Sequence, residues 1–119
     1  MKHNFQRSFL NAFNGMRYFF LYERNGKVQL CIAVLVTVLG FGFGVSVAEW
    51  MALLLCMALV LCLEMVNSAI EQLCNVVQED HHPVIKIVKD IAAGAVLFAS
   101  IITAIVGIVV FYSRIISLL

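Results

Sequence analysis

Glu64, Asn67, Ser68 and Glu71 close a very apolar run and recur at offsets of 0, 3, 4 and 7. On a helix those offsets put all four side chains on one face. Trp50 to Leu63, just before them, carries no charge. A carboxylate in that setting is expensive to place in a membrane and is a functional candidate by default. In partly dry surroundings Glu64 is suited to act as a general base on a hydroxyl. Glu71 and Glu23 could share a hard divalent cation, since magnesium is held by one or two carboxylates plus substrate phosphates. Lys89 adds positive charge that could meet phosphate. A hydroxyl reaching Glu64 from the lipid side belongs to a lipid headgroup. The chemistry this points to is phosphoryl transfer from a cytoplasmic nucleotide to a membrane alcohol. A plainer reading stands beside it: Glu64 and Asn67 as hydrogen-bond glue between helices, with Lys86 and Lys89 as topology signals.

The composition says what solvent these residues meet. The chain has 119 residues, 63% hydrophobic and 13% charged. Soluble domains are about half apolar and about a quarter charged, and a chain this short cannot hide so much apolar surface in its own core. Lipid is the solvent for most of it. A net charge of +1 gives no reason to expect nucleic acid. Cys31, Cys56, Cys62 and Cys74 form no CxxC pair and read as small buried hydrophobes. His81 and His82 lack zinc spacing, with His3 far away. Residues 1–27 show no apolar core or cleavage site of a signal peptide.

The elements that must position the polar face follow in order. Phe5, Phe9, Leu10, Phe13, Met16, Phe19 and Phe20 recur at spacings of three and four, an amphipathic helix over 4–22 lying in the membrane interface. Glu23 to Lys27 is a polar break with Gly26 as the expected turn. Residues 28–48 form a first charge-free span, long enough to cross about 30 Å of hydrocarbon. Within it, Gly40 and Gly44 are spaced for close helix approach. The chain is expected to turn near Glu49, with Trp50 as an interfacial anchor. A second span covers 50–74. Glu64 then lies roughly 21 Å and Glu71 roughly 31 Å from Trp50 along the helix axis. A third span covers 84–112, with Ala92, Ala95 and Ala99 as a small-residue stripe. The expected fold is an all-α membrane protein: one surface helix and three transmembrane helices in a single domain over 1–119.

Lys2, Arg7, Arg17, Arg24, Lys27, Lys86 and Lys89 lie on one side and only Arg114 on the other. The positive-inside rule puts the N-terminus in the cytoplasm and, after three spans, the C-terminus outside. Three spans and a surface helix are not expected to surround the Glu64–Glu71 face. A lone chain would then expose Glu64 to lipid at about 2.5 kcal/mol or more on insertion scales, so a second chain is expected to cover it.

Glu64-x-x-Asn67-Ser68-Ala69-Ile70-Glu71 followed by Lys89-Asp90-x-x-Ala93-Gly94-Ala95-Val96-Leu97 resembles the small bacterial integral-membrane lipid kinases, the family of diacylglycerol kinase and undecaprenol kinase. Ala12-Phe13-Asn14-Gly15-Met16-Arg17, Glu23-Arg24-Asn25 and His82-Pro83 are similar to the same family. The resemblance covers nearly the whole chain. It implies an ATP- and magnesium-dependent kinase of the bacterial cytoplasmic membrane, working as a homotrimer with shared sites. It implies Glu64 as catalytic base, Glu23 and Glu71 as metal ligands, and Asp80, His82, Lys89 and Asp90 as nucleotide contacts, with Asn67 as an active-site amide. Asn75 stands where the family usually has aspartate, and His81 where tyrosine is common. His82-Pro83 and Lys89-Asp90-Ile91-Ala92-Ala93-Gly94 look more like undecaprenol kinase than diacylglycerol kinase. The rival from another class is a non-catalytic membrane scaffold on the same fold; it would be free to lose Glu64, Glu71 or Lys89, and all three are present.

Overall fold

The computed structural model describes residues 4–77 and 81–119. Four helices run in chain order: α1 (Phe5–Tyr22), α2 (Arg24–Phe43), α3 (Val47–Val77) and α4 (Pro83–Leu118). No strand occurs among the described residues. The last three are each long and apolar enough to cross a membrane. α3 and α4, at 31 and 36 residues, exceed the roughly 20 residues a bilayer core requires. Both therefore extend beyond the hydrocarbon and carry polar residues at their ends.

α1 starts at Asn4, whose side-chain oxygen accepts from the Gln6 N–H at 3.1 Å. Phe5, Phe9 and Phe13 stay exposed along one side, as an interfacial helix requires. Phe19 departs from that stripe. It turns inward and is the one buried residue of α1.

The corner between α1 and α2 is a single extended residue, Glu23. Gly26 is not the turn. It lies inside α2, buried, where the helix crosses the end of α1. A Cβ there would stand 2.1 Å from the Phe19 carbonyl oxygen. The glycine is what allows the two backbones to approach, and it fixes where Glu23 sits.

The turn after α2 comes earlier than Glu49. Gly44 adopts a left-handed conformation with φ of 63°, which glycine reaches without steric cost. The Gly44 N–H donates to Phe41 O at 3.3 Å and the Val45 N–H to Gly40 O at 3.1 Å. This is a Schellman ending. Gly44 is thus a helix stop and not half of a packing pair. Gly40 does serve close approach, to the indole of Trp50.

Ser46 and Glu49 then cap α3 reciprocally. The Glu49 N–H donates to Ser46 Oγ at 3.2 Å, and the Ser46 N–H to Glu49 Oε1 at 2.9 Å. Arg114 of α4 donates through Nε to the same Glu49 oxygen at 2.9 Å. Val45, Leu53 and Val110 are buried beside this ion pair, with Trp50 and Phe111 packed against them. α3 and α4 form the main helix pair, while α2 leans on them more loosely. A cavity of about 560 Å³ remains between the three, lined by apolar side chains and by Gln29, Ser100 and Thr103.

Gly26→Ala drives a methyl group into the Phe19 carbonyl. Overpacking of this kind costs about 1–3 kcal/mol. Thermal unfolding in detergent micelles should show a lower midpoint for Gly26→Ala. Gly94→Ala, where nothing lies within 4 Å of the added carbon, should leave the midpoint near wild type.

Candidate active site at the polar end of the bundle

α3 carries the polar face into the protein. Glu64, Asn67 and Ser68 are 7%, 5% and 8% exposed, while Glu71, one turn on, is exposed. The face thus runs from a buried carboxylate to an open one. The burial of Glu64 is achieved within one chain. The expectation that a second chain is needed to keep Glu64 from lipid is therefore corrected: within one chain it is already buried, with Gln29 of α2 against it.

One Glu64 oxygen has a partner. Gln29 of α2 donates through Nε2 to Glu64 Oε1 at 3.4 Å, the long end of hydrogen-bond range. The other oxygen, Oε2, is buried and has no hydrogen-bond partner among the described residues. Asn67 shows the same half-satisfied state. Its Nδ2 donates to Glu71 Oε1 at 3.4 Å, and its Oδ1 is buried and unpartnered. Buried polar atoms are nearly always paired, and exceptions cluster where an absent group binds. Among the described residues, two acceptor oxygens on one helix face thus both lack a donor. A hydroxyl can supply such a donor, and Glu64 can then take its proton.

Glu23 reaches the same end of the bundle from the α1–α2 corner. Gln72, next to Glu71, donates to its Oε1. Glu23 and Glu71 therefore come from separate elements to one level. Among the described residues, no three of His, Cys, Asp and Glu cluster closely enough to enclose a metal. Two carboxylates make an incomplete, hard-oxygen set, which suits a cation whose remaining ligands are phosphates and water.

The other expected site residues are placed unequally. Lys89 points across to α3 and donates to Asn75 Oδ1 at 2.8 Å. Asp90, the next residue, turns away and pairs with Lys86 at 2.7 Å on the exposed side of α4. Within one chain Lys89 and Asp90 do not converge. His82 caps α4, its Nδ1 accepting from the Val84 N–H at 3.2 Å, with Pro83 at the first helical position. Asp80 lies outside the described residues.

Gln29 and Gln72 escaped the sequence reading. Gln29 had a signal: it stands near the start of a charge-free span, where any strongly polar side chain is a candidate. Gln72 had none, because its role depends on where the α1–α2 corner brings Glu23.

The geometry stands beside clear similarities. Residues 10–111 match the prokaryotic diacylglycerol kinase family. An undecaprenol kinase of Bacillus subtilis is 34% identical over 110 residues, covering 92% of this chain and 89% of that protein. A diacylglycerol kinase of Synechocystis is 36% identical over 101 residues, covering 84% of this chain. The chain spans 58% of the length of that cyanobacterial relative.

Glu64→Gln keeps the size of the side chain and removes its basicity. Loss of a general base typically costs about 10²–10⁴ in rate. Turnover in a radiolabelled-ATP assay should fall by that much while nucleotide binding is largely kept. Near-normal turnover would end the assignment of Glu64 as base.

Proposed function

We propose that this chain, a multi-pass membrane lipid kinase that belongs to the prokaryotic diacylglycerol kinase family, phosphorylates undecaprenol to undecaprenyl phosphate with Glu64 as its general base. The single observation that carries the role of Glu64 is its buried Oε2, which lacks a donor among the described residues while Gln29 holds the other oxygen. The acceptor hydroxyl donates to that oxygen. As its proton passes to Glu64, its oxygen bonds to the γ-phosphorus of ATP, and the bond to the bridging β–γ oxygen breaks with release of ADP. Asn67 stands beside it as an active-site amide, its Nδ2 donating to Glu71 Oε1. Glu23 and Glu71 would hold magnesium. That ion, when bound, neutralises charge on the phosphate oxygens. Lys89 meets the phosphates, with His82, Asp80 and Asp90 as further nucleotide contacts. The whole chain serves as one domain.

Undecaprenol is favoured as acceptor by the His82-Pro83 and Lys89–Gly94 sequence and by the coverage of the Bacillus relative, which extends over 89% of that protein. Diacylglycerol is the second reading, favoured by the cyanobacterial relative. Purified protein offered both lipids side by side with labelled ATP distinguishes them. A preference for diacylglycerol would overturn the first.

In this reading the membrane is the bacterial inner membrane, with the N-terminus cytoplasmic and the C-terminus outside, on the strength of the lysine and arginine count. The working unit is a homotrimer with shared sites. The divergence of Lys89 and Asp90 within one chain supports sharing, since a composite site can draw them from different copies.

Glu23→Gln and Glu71→Gln each remove one anionic ligand. Magnesium titrations of activity should shift to higher metal concentration in both, and MgATP binding should weaken. An unchanged magnesium requirement in both variants would remove the metal role. Shared sites predict recovery when Glu64→Gln and Glu71→Gln chains are mixed, once subunit exchange has been verified. Mixed oligomers no more active than their parents would show that each site is built within one chain.

A further inference from the structure

The cavity between α2, α3 and α4 reaches the candidate site through one residue. Gln29 lines it and also donates to Glu64 Oε1 at 3.4 Å. From Gln29 the lining continues along α2 to Leu39, about 15 Å of helix. Leu53 and Phe111 line the other end, where they meet the Val45–Leu53–Val110 cluster. Between these ends the side chains are apolar apart from the hydroxyls of Ser100 and Thr103. A volume of about 560 Å³ is that of a small-ligand site, which is typically about 300–1,000 Å³, mostly apolar and equipped with few polar groups. Ile32 of α2 and Ile108 of α4 line the cavity and are also exposed on the outside of the bundle. The cavity therefore opens sideways, between two helices that pack only loosely on each other.

Gly107 keeps this space free. Ser100, Thr103, Ala104, Gly107, Ile108 and Phe111 all line the cavity, and their spacings of three and four make one face of α4. A Cβ at 107, in the middle of that face, would have nothing within 4 Å. A larger side chain there would project into the cavity.

We propose that the cavity holds the hydrocarbon chain of the lipid acceptor next to its hydroxyl, and that Gly107 leaves the room this chain needs. The inference rests on the reading of Glu64 as base for a lipid hydroxyl. A hydroxyl that donates to Glu64 Oε2 brings its chain with it, and the apolar space beside Gln29 is this cavity. The chain enters from the bilayer between α2 and α4. Lipid tails are as apolar as the wall, so fit and van der Waals contact decide its binding. Gly107 is in this way a specificity-determining residue for the acceptor and plays no part toward the nucleotide.

The test uses the full-length protein in lipid nanodiscs, as wild type, Gly107→Leu and Gly42→Leu. Gly42 is the control: a Cβ there also has nothing within 4 Å, and it does not line the cavity. Farnesol carrying a diazirine at its tail is photoactivated with and without excess undecaprenol, and labelled peptides are mapped by mass spectrometry. KM values for undecaprenol and for MgATP, oligomeric state by native mass spectrometry and the thermal midpoint are measured alongside. Wild type and Gly42→Leu should carry the label in segments 32–39 and 103–111, and excess undecaprenol should remove most of it. Gly107→Leu should lose that label and raise the KM for undecaprenol about tenfold or more, as overfilling a packed space does. Its KM for MgATP should not move. Its thermal midpoint should not fall, since leucine is a better helix former than glycine.

Label confined to α1 or to other outward faces would overturn the proposal, whatever Glu64→Gln does to turnover. So would cavity label that undecaprenol fails to displace, which marks a crevice for bulk lipid. An unchanged KM for undecaprenol in Gly107→Leu would remove Gly107 from acceptor selection. Loss of the oligomer in Gly107→Leu, with Gly42→Leu assembled as wild type, would give the cavity to a helix of a second copy. Displaceable cavity label in a protein whose Glu64→Gln variant keeps normal turnover would uphold the chain site and remove only the role of Glu64.

Discussion

The burial of one carboxylate in an apolar helix governs much of this structure. Glu64 is nine-tenths covered by protein within a single chain, in a segment where an ionisable group is costly. Only one of its oxygens is compensated, through a long hydrogen bond from Gln29. The structure therefore holds an acceptor whose hydrogen-bonding capacity is not met by the described residues. In the proposed role of Glu64, a headgroup hydroxyl arriving by way of the membrane is the donor that completes it. The chain belongs to the prokaryotic diacylglycerol kinase family, whose name is that of a lipid kinase.

The second constraint is the approach of α1 to α2. Glu23 lies at a corner one residue long, and a corner that short leaves its direction to packing. Phe19 and Gly26 provide that packing, with no room for a Cβ between them. Gln72 then receives Glu23 at the level of Glu71. The amphipathic helix α1 is thereby coupled to the Glu71 end of α3, through one backbone contact.

Periodicity and hydropathy made the helices legible in the sequence. The Phe5–Phe9–Phe13 stripe, the three spans and the shared face of Glu64, Asn67, Ser68 and Glu71 follow from spacings of three and four and from charge-free runs. Glycines were harder to read. Gly26 and Gly44 each fit both a turn and a close approach by residue type, and the structure assigns them the opposite way round from the sequence reading. Composition cannot separate those roles, because one depends on φ and the other on a neighbour distant in sequence. Long-range partners were least legible. Nothing local joins Glu49 to Arg114, Gln29 to Glu64 or Asn75 to Lys89, since helix packing alone brings them together.

The two ends of the bundle divide the work. At the far end, the Ser46–Glu49 capping box, the Arg114 ion pair and the Val45–Leu53–Val110 cluster concentrate interactions on a few residues. At the end that carries Glu71, the side-chain contacts to α3 are single hydrogen bonds, two of them exposed. A site that must admit a nucleotide, release it and accept a lipid headgroup needs groups that can exchange partners, and such sites are drawn from the less tightly held part of a structure. Rigid elements must still hold those groups to within a fraction of an ångström. Long helices anchored at one end and polar at the other meet both demands: α3 carries Glu64, Asn67, Ser68 and Glu71 along one face, while its other end is tied down by Glu49.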